Sequence, residues 1–136
     1  MQVHEAIRDY FRADPRGIVA VYIFGSRAND KGTPRSDVDI AVLFDRNDPD
    51  FIRSRIEEIL SQLPRSLRKD VHPLAMNCAS EVVLKQVFSK GKCLLVTDSQ
   101  KLAKFNMIAY ARIAGFSYYL GKMQAGLIRK VLEAIP

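Results

Sequence analysis

Val19-Ala20-Val21-Tyr22-Ile23-Phe24-Gly25-Ser26, ten intervening residues, then Asp37-Val38-Asp39-Ile40-Ala41-Val42-Leu43-Phe44 is the stretch that decides how this chain folds. Residues 19–24 form an unbroken apolar, β-prone run of the length expected for a buried strand. Gly25 breaks the run, and without a Cβ it lets another group come close to the backbone. Ser26 can cap a following helical turn, which leaves N–H groups and a hydroxyl facing whatever lies beyond. Such a turn suits an anion. Residues 27–36 are polar and rich in turn formers and read as a loop. Val38 to Phe44 then read as a second buried strand. Strand side chains alternate, so Asp37 and Asp39 project to the same side. Two neighbouring carboxylates repel each other unless a cation lies between them. On a phosphate-binding scaffold, hard oxygen donors of this kind suit Mg²⁺, which takes a few carboxylates together with phosphate oxygens and water.

Outward from this centre, Val3, Ala6, Ile7, Tyr10 and Phe11 stand at helical spacing and predict an amphipathic helix over residues 2–13, ending before Asp14-Pro15. Asp48-Pro49 opens a second helix to about Leu63, with Phe51, Ile52, Ile56, Ile59, Leu60 and Leu63 on its buried face and Pro64 as its stop. A third strand is expected over about Val71–Met76, where Pro73 implies an edge position or a bulge. Ser80 caps a helix carrying Val83, Leu84, Val87 and Phe88, closed by Gly91. Cys93–Val96 suits a short strand, and Asp98 caps a long final helix with Phe105, Ile108, Ala109, Arg112, Phe116, Tyr119 and Leu120 in register. Strands interleaved with helices predict an α+β (α/β layered) fold, a small mixed sheet packed with helices. With neither repeats nor linkers, residues 1–136 are expected to form one domain.

Composition narrows the classes further. The 136 residues carry 48% hydrophobic and 26% charged side chains, ordinary values for a globular domain. No run is long and apolar enough to span a membrane, and the N-terminus lacks a signal-peptide core, so the cytoplasm is the expected location. Cys78 and Cys93 have no metal-ligand spacing and read as reduced core or near-core thiols. The net charge of +6 is spread along the chain, with one small cluster at Arg65, Arg68 and Lys69. No aromatic–basic motif accompanies it, so the charge reads as solvated surface and a nucleic-acid partner is not expected.

Gly25-Ser26 followed by Asp37-Val38-Asp39 resembles the signature of the DNA polymerase beta-type nucleotidyltransferases, and the short length points to the minimal nucleotidyltransferase branch that includes the MntA-type antitoxins. Phe24-Gly25-Ser26-Arg27-Ala28 and Ser36-Asp37-Val38-Asp39-Ile40-Ala41-Val42-Leu43 carry the resemblance. Weaker similarity continues through the strand ending at Asn77 and through Lys90-Gly91-Lys92-Cys93-Leu94-Leu95. The resemblance implies that Asp37 and Asp39 hold Mg²⁺ bridging the triphosphate of ATP, while the backbone after Gly25 and the Ser26 hydroxyl grip its phosphates; Arg27 is placed by the sequence either to add positive charge there or to serve as an exposed structural residue. It also implies a third carboxylate on a neighbouring strand, as metal ligand and general base. Here the chain departs from the pattern: His72 stands where that acid is expected, and Asp70 lies two residues earlier. A bulge at Pro73 would bring Asp70 into place as the third ligand; His72 would otherwise act as the base, its ordinary pKa suiting proton removal; or metal catalysis is weakened and the domain mainly binds. His4, on the first helix, is expected at the surface.

On the last helix, Met107, Tyr110, Phe116, Tyr118, Tyr119 and Met123 exceed one buried stripe. Most are expected in the core and the rest in an apolar protein contact. By resemblance, the partner implied is a HEPN-family toxin, with AMP transferred from ATP to one of its tyrosines, in an oligomeric state left open. The rival reading is a catalytically weak nucleotide- or toxin-binding module that neutralises its partner by occlusion. Transfer to a small molecule is a third, disfavoured because this length leaves little room for substrate-binding structure.

Overall fold

The computed structural model describes residues 3–25 and 37–133. The chain runs α1 (Val3–Ala13), β1 (Ile18–Phe24), β2 (Val38–Phe44), α2 (Pro49–Leu67), β3 (Val71–Ala75), a 3₁₀ turn (Met76–Cys78), α3 (Glu81–Lys90), β4 (Lys92–Val96) and α4 (Ser99–Glu133). The four strands form one mixed sheet in the order β3-β2-β1-β4. The β1–β2 and β1–β4 pairs are antiparallel, and the β2–β3 pair is parallel. This is the mixed sheet with helices and a long C-terminal helix that the pattern predicts.

The two central strands are almost wholly buried because each face of the sheet is covered. Val38, Ile40, Val42 and Phe44 point into one core with Ile7 and Phe11 of α1 and Ile52, Ile59 and Leu63 of α2. Ala41 and Leu43 point to the other, with Leu84 and Val87 of α3 and Ala109 of α4. Period-two alternation therefore assigns Asp39 to the α3–α4 side.

Local chemistry fixes the helix starts. The Asp48 carboxylate accepts from the amides of Asp50 and Phe51, and Pro49 follows at the first helical position. Ser80 Oγ accepts from Val83 N, and Asp98 Oδ1 from Lys101 N. Pro64 does not stop α2. The helix continues to Leu67 and ends at Arg68, whose φ is 54° and whose amide donates to the Pro64 carbonyl. Burial of Leu67 in the first core carries the chain one turn past the proline.

Pro73 lies on the edge strand, and the ladder from Val38↔Val71 to Val42↔Ala75 is continuous, so the edge placement holds and no bulge interrupts it. Asn77 closes the far end of the sheet. Its side chain accepts from Phe44 N at 2.8 Å and donates to Phe44 O, Arg46 O and Asn47 Oδ1, which fixes the turn between β2 and α2.

Several expected placements are reversed. His4 is buried, because it sits one turn from Ile7 on the inward side of α1. Cys78 and Cys93 are exposed free thiols rather than core groups. On α4, Met107, Tyr110, Tyr118, Tyr119 and Met123 are all more than half exposed, and Phe116 is exposed as well. Among the described residues, it is the first half of that helix that meets the second core, through Leu102, Phe105, Ala109 and Ile113. Leu60 of α2 is exposed too, whereas Arg55 on the same helix is 1% exposed. Among the described residues no helix is long and apolar enough to cross a membrane.

Candidate active site

The antiparallel register sets Phe24 opposite Asp39, and the parallel register sets Asp39 beside His72. The end of β1, the start of β2 and the start of β3 therefore meet at one end of the sheet. Gly25 follows Phe24 with φ +71°, a left-handed conformation that L side chains rarely adopt. A Cβ placed on it would stand 2.6 Å from Asp39 Oδ2. Backbone turn and carboxylate thus share one space, with only a hydrogen's room between them.

Burial beside this turn raises the pKa of Asp39, and the neighbouring Asp37 charge raises it further while His72 opposes both. Asp37 is half exposed and lies 3.0 Å from His72 Nε2 through Oδ2. That hydrogen bond is the largest cause of a raised His72 pKa, with the charges of Asp37, Asp39 and Asp70 adding to it.

The unbroken ladder decides which residue stands level with Asp39. It is His72. Asp70 lies one residue before β3, exposed, with its carbonyl accepting from Val38 N at 2.9 Å. Without a bulge nothing moves its carboxylate the ~6–7 Å along the strand to the His72 position, so the expected shift of Asp70 into that place is not realised. Ser26 and Arg27 lie outside the described residues. Among the described residues no three His, Cys, Asp or Glu side chains gather as a metal site.

A cavity of about 240 Å³ opens over this end of the sheet, lined by Phe24, Gly25, Asp39, Gln86 and Lys90. Gln86 was not singled out in the sequence, and Lys90 entered only as the first residue of the weaker Lys90–Leu95 similarity, with no site role. They stand one turn apart on the exposed face of α3, a spacing that marks a shared face but does not say what it faces. Gly91 brings them in. A Cβ there would run into the Val87 carbonyl and lie 3.2 Å from Ile23 O, so glycine lets the end of α3 rest on β1 and sets Lys90 above the Gly25 turn.

The sequence from Glu5 to Gln100 matches the family model described as polymerase beta, nucleotidyltransferase. This chain belongs to the polymerase beta nucleotidyltransferase family. No curated protein gives a match. Among solved structures, this nucleotidyltransferase is similar to a chain of a toxin–antitoxin crystal structure with AMP-PNP, at 26% identity and TM-score 0.69, covering 95% of this chain and 98% of that one. A chain of the MntA–HepT toxin–antitoxin structure matches at 25% identity and TM-score 0.64, over 96% and 97% of the two chains. A third match is the tri-AMPylated Shewanella oneidensis HEPN toxin in complex with MNT antitoxin, at 26% identity and TM-score 0.65, over 97% and 99%. The likeness thus spans the whole fold of an MNT antitoxin.

Proposed function

We propose that this nucleotidyltransferase transfers AMP from ATP to a tyrosine hydroxyl of a HEPN-family toxin and thereby acts as an antitoxin. The observation that carries the reading is the convergence of Asp39, the Gly25 turn and Lys90 on one cavity, in a chain that matches antitoxin structures from end to end. In the reaction the tyrosine oxygen forms a bond to the α-phosphorus, the bond from that phosphorus to the bridging oxygen of pyrophosphate breaks, and the hydroxyl proton is taken up by a base.

Asp37 and Asp39 are two hard oxygen donors on one strand face, and the two carboxylates fit a Mg²⁺ ion whose other ligands are phosphate oxygens and water. Bound there, the ion would neutralise charge on the triphosphate. The chain supplies the rest. Gly25 allows the phosphates to approach the backbone, and the Ser26 hydroxyl and Arg27 add polar and charged contacts. Lys90 places an ammonium over the same turn, where it offsets negative charge as pyrophosphate leaves. His72 stands in for the third acid. With Nε2–H donated to Asp37, its Nδ1 lone pair is the atom that receives the tyrosine proton. The exposed tyrosines and methionines of α4 provide an apolar surface for the toxin.

A second reading rests on one observation: the position level with Asp39 holds a histidine, and no third carboxylate stands there. On that reading the chain binds nucleotide and toxin but neutralises by occlusion. Incubation with labelled ATP, Mg²⁺ and the HEPN partner separates the two. Transfer requires label on the partner, lost in Asp37→Asn and Asp39→Asn. Neutralisation with no label on the wild-type reaction means occlusion. Within the catalytic reading, His72→Ala should abolish labelling while Asp70→Asn retains it.

A further inference from the structure

The far end of the same sheet face carries a second cavity. Asp39, Ala41 and Leu43 follow one another on the α3–α4 side of β2, so Leu43 lies about 13 Å from Asp39 along the strand. There a cavity of about 330 Å³ opens between the sheet and the first three turns of α4. Its apolar lining comes from Val19, Leu43, Phe105 and Ile108, and its rim carries Arg46, Lys101 and Lys104 against a single acid, Asp45.

These charges are not equivalent. Arg46 is committed: its guanidinium meets Asp45 at 2.7 Å and lies 4.1 Å from the centre of the Phe51 ring. Lys101 feels Asp45 at longer range. Lys104 has no ion pair among the described residues. Asn77 holds the Arg46 carbonyl and the turn around it, so that side of the rim is fixed by four hydrogen bonds.

The placement of the lysines is the second observation. The first turn of α4 contains no acidic residue, and Lys101 lies three residues beyond its Asp98 cap. The positive end of a helix dipole disfavours cations there. Lys101, in that first turn beside the capping Asp98, therefore works against the helix, and Lys104 stands one turn further on at the same hollow. An anion seated between them would relieve both the mutual repulsion and the dipole, and the hollow would bury whatever it is attached to.

We propose that this cavity is a second binding site, distinct from the nucleotide site, for a small organic anion with a ring or short aliphatic body, its charged group held by Lys101 and Lys104 and its body by Leu43, Phe105 and Ile108. Phenyl phosphate, inorganic phosphate and phenol are the probes, followed by amide chemical shifts of the isotopically labelled full chain. Phenyl phosphate is expected to bind at ~1 mM and to move the amides around Leu43, Asn77, Lys101 and Lys104. Each half probe is expected to bind more weakly. Lys101→Gln with Lys104→Gln should weaken phenyl phosphate about tenfold, with a melting temperature at or above wild type because an unfavourable charge has left the helix start. Ile108→Glu, which sets a carboxylate at the rim, should abolish binding. Asp39→Asn should leave it unchanged. The proposal is overturned if no probe shifts these amides at ~20 mM, if the shifts cluster only around Gly25 and Asp39, or if the lysine double variant binds as tightly as wild type.

Discussion

Replacing Gly25 with alanine tests whether the turn and the carboxylate act as one unit. Two costs are separable. Holding an L residue at φ +71° costs about 1–2 kcal/mol. The new methyl also meets Asp39 Oδ2 at 2.6 Å, well inside van der Waals contact, so the carboxylate must swing away. With entropy of unfolding near 2.1 cal/mol/K per residue over 136 residues, the backbone cost alone lowers the melting temperature by about 4–7 °C. The displaced carboxylate should cost transfer far more, on the order of 100-fold, because a misplaced group forfeits alignment at the reacting centre. The double variant Gly25→Ala with Asp39→Ala isolates the contact. Removing the carboxylate removes the clash, so the glycine substitution should cost only its backbone term in that background, and the two changes should be non-additive by about 0.5 kcal/mol or more. Thermal and denaturant unfolding of the four proteins gives the cycle. Strict additivity, or full transfer activity in Gly25→Ala, would refute the reasoning.

Arg55→Ala should destabilise by about 3 kcal/mol in denaturant titration, since it removes a buried guanidinium that bonds the Asp14 carbonyl and carboxylate and Glu58 Oε2 at 2.9 Å. The Arg16 guanidinium holds the Asp14 carboxyl down at about 2, below its usual range. Because the folded pKa is depressed, this contribution is present above pH ~4 and disappears as pH falls towards ~2. Asp14→Asn should flatten that part of the stability–pH curve, and an unchanged curve would remove Asp14 from the account. Asn77→Ala leaves the Phe44 amide without its 2.8 Å acceptor and frees the β2–α2 turn. A loss of about 2 kcal/mol is expected, with faster hydrogen exchange at Phe44 as the direct readout.

The parts of this fold that were legible in the sequence are those whose cause is local. The apolar runs at Ile18–Phe24 and Ile40–Phe44 are strands because nothing charged interrupts them, and Ser80 and Asp98 cap helices through contacts three residues away. Pro73 signals an edge because a missing amide cannot join a ladder on both sides. What was not legible depends on partners distant in the chain. Pro64 looks like a stop until Leu67 is seen to be buried, and Arg55 looks solvated until Asp14 arrives from 41 residues away. The aromatic side of α4 reads as core because periodicity counts apolar residues without knowing that the described core contacts of the helix stop at Ile113. In the site, the spacing of Asp37 and Asp39 fixes their shared face, and the glycine turn beside them follows from the antiparallel pairing. That Gln86 and Lys90 reach the site was hidden, since their approach hangs on the fit of Gly91 against Ile23.

The edge strand has a bearing on how this chain survives alone. Val38 N donates to Asp70 O, so on β3 the even-numbered residues turn their polar backbone groups inward and Pro73 turns outward. The one position in the middle of that free margin has no hydrogen to offer a foreign strand. Pile-up of sheets margin to margin, the common route by which small β-containing proteins precipitate, is therefore blunted on that side by the covalent structure of a single ring.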